Sequence, residues 1–293
     1  MNTVIYVLGY NRPQHLLSTL LGLSKQLNNY SGKRKFQVEI RIDGSKDGLI
    51  NQDILNVLER FKYPYMVSPK NFGLRSSILS VLGCFKASEY DSMILLEDDI
   101  LISDDCLVYF DNMLMHYEHD SKILQISAYS PFNFNSSFVF RHPRISTWGW
   151  ATWKHKFPLL DDFVLDWRGF NVTAFTASQI QMIEEYMPDT IGLFDSMQSG
   201  KINAWSLDLL TYSVRNNLKT IYPSSTLLDN IGMDGTGENC GKRKSFNLFV
   251  EKKHLLNLQN LLEIDTSKSL IRKFNRYYSR NMIWKIYRML YGV

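Results

Sequence analysis

The sequence predicts an α/β fold, a mostly parallel sheet flanked by helices, on three observations. Short apolar runs alternate with segments of helical periodicity through the first third of the chain. Each run ends in a cluster of Gly, Asn, Asp or Pro, the residues that turn a chain. One run, Met93-Ile94-Leu95-Leu96, passes directly into three acids, Glu97-Asp98-Asp99.

Val4 to Leu8 reads as the first strand, and Asn11-Arg12-Pro13 opens a helix, with Asn11 a cap candidate and Pro in the first turn. Leu16, Leu17, Leu20 and Leu21 follow at helical spacing. Val38 to Ile42 alternates as a strand and ends in the turn-rich Asp43-Gly44-Ser45-Lys46-Asp47-Gly48. A helix near Gln52 to Phe61, a short strand at Tyr65 to Val67 and a helix from about Leu74 to Lys86 lead to the strand that the acids close. A β-α-β-α order of this kind gives parallel strands with helices on both faces.

Beyond about Leu101 the pattern changes. Ser103-Asp104-Asp105 begins a helix to about Glu118, and Ile123 to Ala128 is a further strand. An aromatic stretch with Trp148-Gly149-Trp150-Ala151-Thr152-Trp153 follows, then helices over Ser178 to Glu185 and Ala204 to Asn216 and a strand at Lys219 to Tyr222. With no internal repeat and no linker, residues 1–265 form one unit of two lobes, about 1–105 and 106–265, and residues 266–293 a tail.

Composition narrows the class. Hydrophobic content of 45% and charged content of 21% are ordinary for a globular protein. No run approaches the roughly 18 apolar residues of a membrane span, and the first residues lack the pattern of a signal peptide. Cys84, Cys106 and Cys240 are odd in number and scattered, which argues against a disulfide framework or a zinc site and suits a reducing cytosol. Six histidines, His15, His142 and His155 among them, form no metal-ligand spacing. The net charge of +4 is uneven, because residues 268–293 hold seven basic residues and no acid, which leaves the body mildly acidic. An acidic body is a poor nucleic-acid surface, so no nucleic-acid partner is expected.

The chemistry gathers at strand exits, which share one edge of a parallel sheet, the edge where ligands bind. Gly9-Tyr10-Asn11-Arg12, Asp43, Asn71-Phe72-Gly73-Leu74-Arg75 and the acidic triplet all lie there. Three acids leaving a buried strand are costly to desolvate unless a cation compensates them. Strand alternation puts Glu97 and Asp99 on one face and Asp98 on the other. Arg12 near a helix start suits a phosphate, and Asp43 can accept hydrogen bonds from a ribose or base edge; singly, each also fits an ordinary surface residue or turn-former. No glycine-rich dinucleotide fingerprint and no phosphate-loop lysine is present, which disfavours hydride transfer and ATP hydrolysis.

With these residues in order, Tyr10-Asn11-Arg12-Pro13, Asp43, Asn71-Phe72-Gly73, Glu97-Asp98-Asp99 and then Trp148-Gly149-Trp150, the chain resembles the GT-A glycosyltransferases over roughly residues 3 to 242. Within them it is most similar to the N-acetylglucosaminyltransferase I-like enzymes and bacterial relatives that build surface polysaccharide. The resemblance implies a metal-dependent, inverting transfer from a nucleotide-sugar donor, UDP-linked and possibly UDP-GlcNAc, to a glycan or glycolipid acceptor of lipopolysaccharide or capsule. It implies Mn2+ or Mg2+ on Asp99, with Asp98, Arg12 and Asp43 near the nucleotide and Tyr10, Asn11, Asn71, Gly73, Arg75 and Glu97 around the donor. It also points to a catalytic base, Asp208 in Trp205-Ser206-Leu207-Asp208, with Asp161, Asp162 and Asp166 as rivals. Trp205, Asp208 and Tyr212 share a helix face, where an aromatic wall beside a carboxylate suits a sugar, although Asp208 also fits a helix-start acid. Trp148, Gly149 and Trp150 join Trp205 as the sugar-facing candidates, with one or two of the tryptophans expected to reach a ligand. Gly232, Gly235, Gly237, Lys242 and Arg243 form a segment able to fold over a diphosphate as a lid, or to remain a surface loop. Two other readings stay open: a sugar-phosphate nucleotidyltransferase, for which Gly9-Tyr10-Asn11-Arg12 lacks the expected activating loop, and an inactive sugar-binding subunit.

In the tail, Leu270, Ile271, Phe274, Tyr277 and Tyr278 fall on one side of a helical wheel, with Arg272, Lys273, Arg276 and Arg280 on the other. A basic amphipathic helix suits an anionic inner-leaflet surface, so a cytoplasmic protein peripheral to the cell membrane is one expectation. A helix packed on the body or against a second copy is the other.

Overall fold

A computed structural model describes residues 1–49, 51–134, 136–167, 169–170, 175–234 and 262–291, of which Met233 and residues 280–291 are described by backbone alone. In chain order the elements are β1 (Asn2–Gly9), α1 (Pro13–Asn29), β2 (Lys35–Ile42), α2 (Gln52–Phe61), β3 (Tyr65–Val67), α3 (Gly73–Ala87), β4 (Ser92–Glu97) and β5 (Ile100–Ile102). Then come α4 (Cys106–His116), β6 (Ile123–Ser127), β7 (Phe138–His142), β8 (Trp150–Trp153), α5 (Leu160–Phe163), α6 (Ala177–Tyr186), α7 (Thr190–Gln198) and α8 (Trp205–Arg215). The chain closes with β9 (Lys219–Pro223), β10 (Leu228–Asn230), β11 (Leu262–Ile264) and α9 (Lys268–Tyr291).

Among the described residues nine strands form one mixed, mostly parallel sheet in the order β11-β7-β9-β6-β8-β4-β1-β2-β3. The first four strands of the α/β half are parallel, as expected, with β1 between β2 and β4. Strand β8 enters antiparallel between β4 and β6. It is the tryptophan stretch, and its four residues are all buried, so no polar alternation marks it as a strand in the sequence. The alternation of β1 divides the core. Ile5 and Val7 pack with α1, α2 and α4, whereas Val4, Tyr6 and Leu8 pack with α3 and α8 on the other face. Helix α1 begins one residue later than the cap pattern suggests: Arg12 holds the cap position without a side-chain cap, and Asn11 instead accepts a hydrogen bond from Asn51 Nδ2 at 2.6 Å.

The tail corrects one expectation. The apolar side of α9 meant for a membrane is covered by the protein, because burying it on β7 and β9 removes the same apolar area from water without a bilayer. Leu270, Ile271 and Phe274 are buried, Phe274 completely, and Leu270 and Phe274 cluster with Phe140 and Tyr222. Phe274 stacks on His142 at 4.2 Å between ring centres, the Tyr277 hydroxyl meets that of Tyr129 at 2.7 Å, and the Arg144 guanidinium lies 3.9 Å over Tyr278. Lys268, Arg272, Lys273 and Arg276 stay exposed. Among the described residues no helix is long and apolar enough to cross a membrane. Phe274→Ala is expected to cost about 3–5 kcal/mol of stability in urea denaturation; an unchanged midpoint would mean that the helix does not dock.

Candidate functional site

From β1 the chain runs outward through β2 to β3 and then returns to place β4 on the other side of β1. That reversal opens a crevice beyond the carboxyl ends of β1 and β4, the topological switch point of such a sheet. Leu8 is level with Glu97, and Gly9 with Ile42, so the Tyr10–Arg12 turn, Asp43 and the acids meet at one rim. Gly9 is needed there: an added Cβ would lie 3.0 Å from Ile42 Cδ1 and 3.3 Å from Asp98 Cβ.

The acids do not alternate as predicted. The strand ends at Glu97, and Asp98-Asp99 form a turn before β5, so both reach the same partner. Arg12 Nη2 donates to Asp98 Oδ1 and lies 2.8 Å from Asp99 Oδ2. Asp98 also accepts from the Tyr10 amide at 3.4 Å, and its carbonyl accepts from Thr19 Oγ1 at 2.7 Å. Asp99 Oδ1 is buried and has no hydrogen-bond partner among the described residues. Burial, followed by repulsion from Asp99 and Asp98, pushes the Glu97 carboxyl up to about 8. Burial pushes Asp98 up to about 6 despite the pull of Arg12. Among the described residues Arg12 is the one guanidinium that contacts this triplet, through Asp98 and Asp99, so these residues are short of positive charge.

A second segment closes over this rim. Strand β10 pairs antiparallel with β5, and the Ile231 amide donates to the Asp99 carbonyl at 2.9 Å. The turn Ile231–Asp234 follows, with the Gly232 amide on Asn230 Oδ1 at 2.8 Å and Asp234 Oδ2 3.2 Å from His15 Nε2. An added Cβ on Gly232 would stand 2.0 Å from Asp99 Oδ2 and 2.7 Å from Arg12 Nη1, so any other residue here would displace these side chains. Of the residues expected to form a lid, Gly232 lies against Asp99 and Arg12, while Gly235, Gly237, Lys242 and Arg243 lie outside the described residues. His15, Thr19 and Asp234 are site residues that the sequence reading missed. Their partners are distant along the chain, so no local pattern marks them.

On the β2 side, Asp43 is buried and holds the loop before α3. Its Oδ1 accepts from the Gly44 and Phe72 amides, each at 3.0 Å, and its Oδ2 from the Gly73 amide at 2.8 Å. Asn71 Nδ2 donates to the Gly44 carbonyl at 2.9 Å, and Gly73 takes a left-handed φ of 77°. Asp43 thereby orders Asn71–Gly73 at the rim of the crevice.

Asp208 is the largest departure. It is fully buried, and its carboxylate accepts four hydrogen bonds: Arg75 Nε at 3.0 Å, Arg75 Nη2 at 3.1 Å, the Leu165 amide at 3.1 Å and Trp167 Nε1 at 2.8 Å. Burial raises its carboxyl above the ordinary range, and these donors oppose the shift. An enclosed carboxylate with this set of donors is not placed to take an acceptor's proton; it clamps α3, α8 and the 164–167 segment together. The aromatic face beside it also turns inward. Trp150 is 0% and Trp205 4% exposed, stacked on each other at 6.0 Å between ring centres, which corrects both as sugar platforms. Trp148 is half-buried and edge-on to Tyr129 at 4.9 Å. It precedes Gly149, whose φ of 54° and lack of a Cβ let Leu228 approach: an added Cβ would sit 2.3 Å from Leu228 Cδ2. Asp161, Asp162 and Asp166 are exposed.

The acids fit a divalent cation in one specific way. Among the described residues no three His, Cys, Asp or Glu side chains gather as a metal site. Asp99 Oδ1 is the unsatisfied oxygen, and hard cations of this kind commonly take one or two carboxylates and complete their shell with substrate phosphate and water.

No protein-family model matches the chain, and no curated protein matches it. Solved structures do. A mannosyltransferase, PcManGT, from Pyrobaculum calidifontis in complex with GDP-Man and Mn2+ matches at 11% identity over 51% of this chain and 44% of that one, with a TM-score of 0.36. TarS 1–349 from S. aureus matches at 10% identity over 78% and 60%, with a TM-score of 0.44. Glucosyl-3-phosphoglycerate synthase from Mycobacterium tuberculosis in complex with UDP matches at 11% identity over 52% and 57%, with a TM-score of 0.35. This chain spans less than two thirds of the length of each.

Asp208→Ala is expected to cost about 3–5 kcal/mol in denaturant unfolding, because it removes a buried carboxylate and leaves the half-buried Arg75 guanidinium and the buried Trp167 indole without their acceptor. Unchanged stability would return Asp208 to the list of catalytic bases.

Proposed function

We propose that this protein is a metal-dependent, inverting GT-A glycosyltransferase that moves a sugar from a nucleoside-diphosphate donor to a hydroxyl of a glycan acceptor. The observation that carries the reading is the under-compensated Arg12–Asp98–Asp99 cluster, with its orphan Asp99 oxygen, at the switch point of the sheet. Asp99 would hold Mn2+ or Mg2+ together with the donor diphosphate. When bound, the cation supplies Lewis-acid stabilisation of the leaving diphosphate.

Arg12 and the Tyr10 amide line the phosphate side, and the loop ordered by Asp43 lines the nucleoside side. A UDP-sugar, with UDP-GlcNAc as the candidate, is the donor that the resemblance implies. The turn at Gly232 excludes water from the anomeric carbon. Trp148 is the tryptophan left to face an acceptor sugar. We assign the general base to Asp166, because its neighbours Leu165 and Trp167 are both fixed on Asp208 while Asp166 itself is exposed. A lipid-linked acceptor of lipopolysaccharide or capsule suits the exposed basic side of α9, which we assign to the anionic inner leaflet on charge alone.

A panel of nucleotide sugars incubated with the protein, Mn2+ and glycan acceptors, scored for nucleoside-diphosphate release, tests the reading. Release is expected with one donor, and Asp99→Asn should lower it by about two orders of magnitude or more while the melting curve keeps its shape. Asp166→Asn should retain donor binding and lose transfer. No release from any donor, or pyrophosphate release from a nucleoside triphosphate and a sugar phosphate, would overturn it, the latter in favour of a nucleotidyltransferase.

A further inference from the structure

One guanidinium nitrogen of Arg12 serves both Asp98 and Asp99, and the Gly232 turn closes directly above that pair. Asp99 is 6% exposed, and its second oxygen has no partner among the described residues. A cation approaching Asp99 therefore meets a site already held by an internal positive charge. Entering alone at the unpartnered oxygen, it sets a second positive charge across one carboxylate from a guanidinium whose side chain is only 20% exposed and whose other anion is Asp98. That repulsion is costly in a partly buried setting. Entering with a diphosphate, it brings Arg12 a new oxyanion of the geometry a guanidinium prefers.

We infer that Arg12 is a built-in counter-ion that occupies the acidic pair until cation and diphosphate arrive together, so that the protein takes its metal as the metal–nucleoside-diphosphate complex rather than as the free ion. The inference rests on the reading proposed above and adds the chemical form in which the substrate is recognised. Gly232 follows the exchange, since its backbone lies against Asp99 and Arg12 alike. Cation and diphosphate then favour each other by the same factor, whichever is measured first.

The test is Mn2+ binding, read from the free-ion electron paramagnetic resonance signal, with no donor and no turnover. Wild-type protein, Arg12→Ala and Arg12→Gln are titrated with Mn2+ alone and with UDP, GDP, CDP, ADP or dTDP present. In the wild type the accepted nucleoside diphosphate should tighten Mn2+ binding about tenfold or more. Both variants should bind Mn2+ alone about tenfold more tightly than the wild type and lose most of the enhancement. Melting curves of the same samples should show a larger Mn2+-induced rise in midpoint for the variants. If Arg12→Ala does not fold, Arg12→Gln, which keeps polar packing without the charge, carries the comparison. Wild-type binding of Mn2+ alone that is already as tight as with diphosphate, or variants no tighter than wild type, would overturn the inference and leave the proposed function standing. No Mn2+ binding with any diphosphate would overturn both.

Discussion

Burying carboxylates where two parallel strands part is the constraint on which this structure turns. Glu97, Asp98 and Asp99 leave a strand whose preceding residues are all buried, and one guanidinium answers them. A carboxylate pair desolvated together raises both groups' affinity for protons or cations. The surroundings are arranged around that shortage. Thr19 on α1 ties down the Asp98 carbonyl, the Tyr10 amide faces its side chain, and the Ile231 amide ties down the Asp99 carbonyl. Backbone groups are satisfied first, which leaves side-chain charge as the unsettled quantity.

Close approach of main chain explains the glycines that matter here. Gly9 lets β1 end against Asp98, and Gly232 lets the turn after β10 lie on Asp99 and Arg12. Gly44 does the same on the other rim, where an added Cβ would fall 2.5 Å from the Lys70 carbonyl carbon. Of the three, Gly44 meets backbone and leaves no room for a methyl group, whereas at Gly9 and Gly232 a methyl group would push against side chains.

The α/β half was legible because its strands alternate or end in turn residues and its helices carry apolar spacing. The parallel β1, β2, β3 and β4 and the helices α1, α2 and α3 all lie where the pattern puts them. Strand β8 was not legible as a strand, since burial on both faces erases alternation. Trp205 and Asp208 do share a helix face, as their spacing requires, but spacing does not say whether that face meets solvent or core. Helix α9 posed the same ambiguity. An amphipathic stripe reports that something apolar will cover it, and here Phe140 and Tyr222 do so. The roles of His15, Thr19 and Asp234 depend on pairings made only when the sheet closes.

Two buried aspartates separate architecture from chemistry. Asp208 collects donors from a guanidinium, an indole and an amide, and every approach to its carboxylate is taken. Such a group holds elements in place, and a ligand has nothing to offer it. Asp99 is also buried, yet among the described residues one oxygen is left without a partner and the other shares a nitrogen with Asp98. A fold that satisfies four donors on one carboxylate has the means to satisfy the other. Leaving Asp99 incomplete, at the rim where the sheet changes direction, marks it as the group that waits for something from outside.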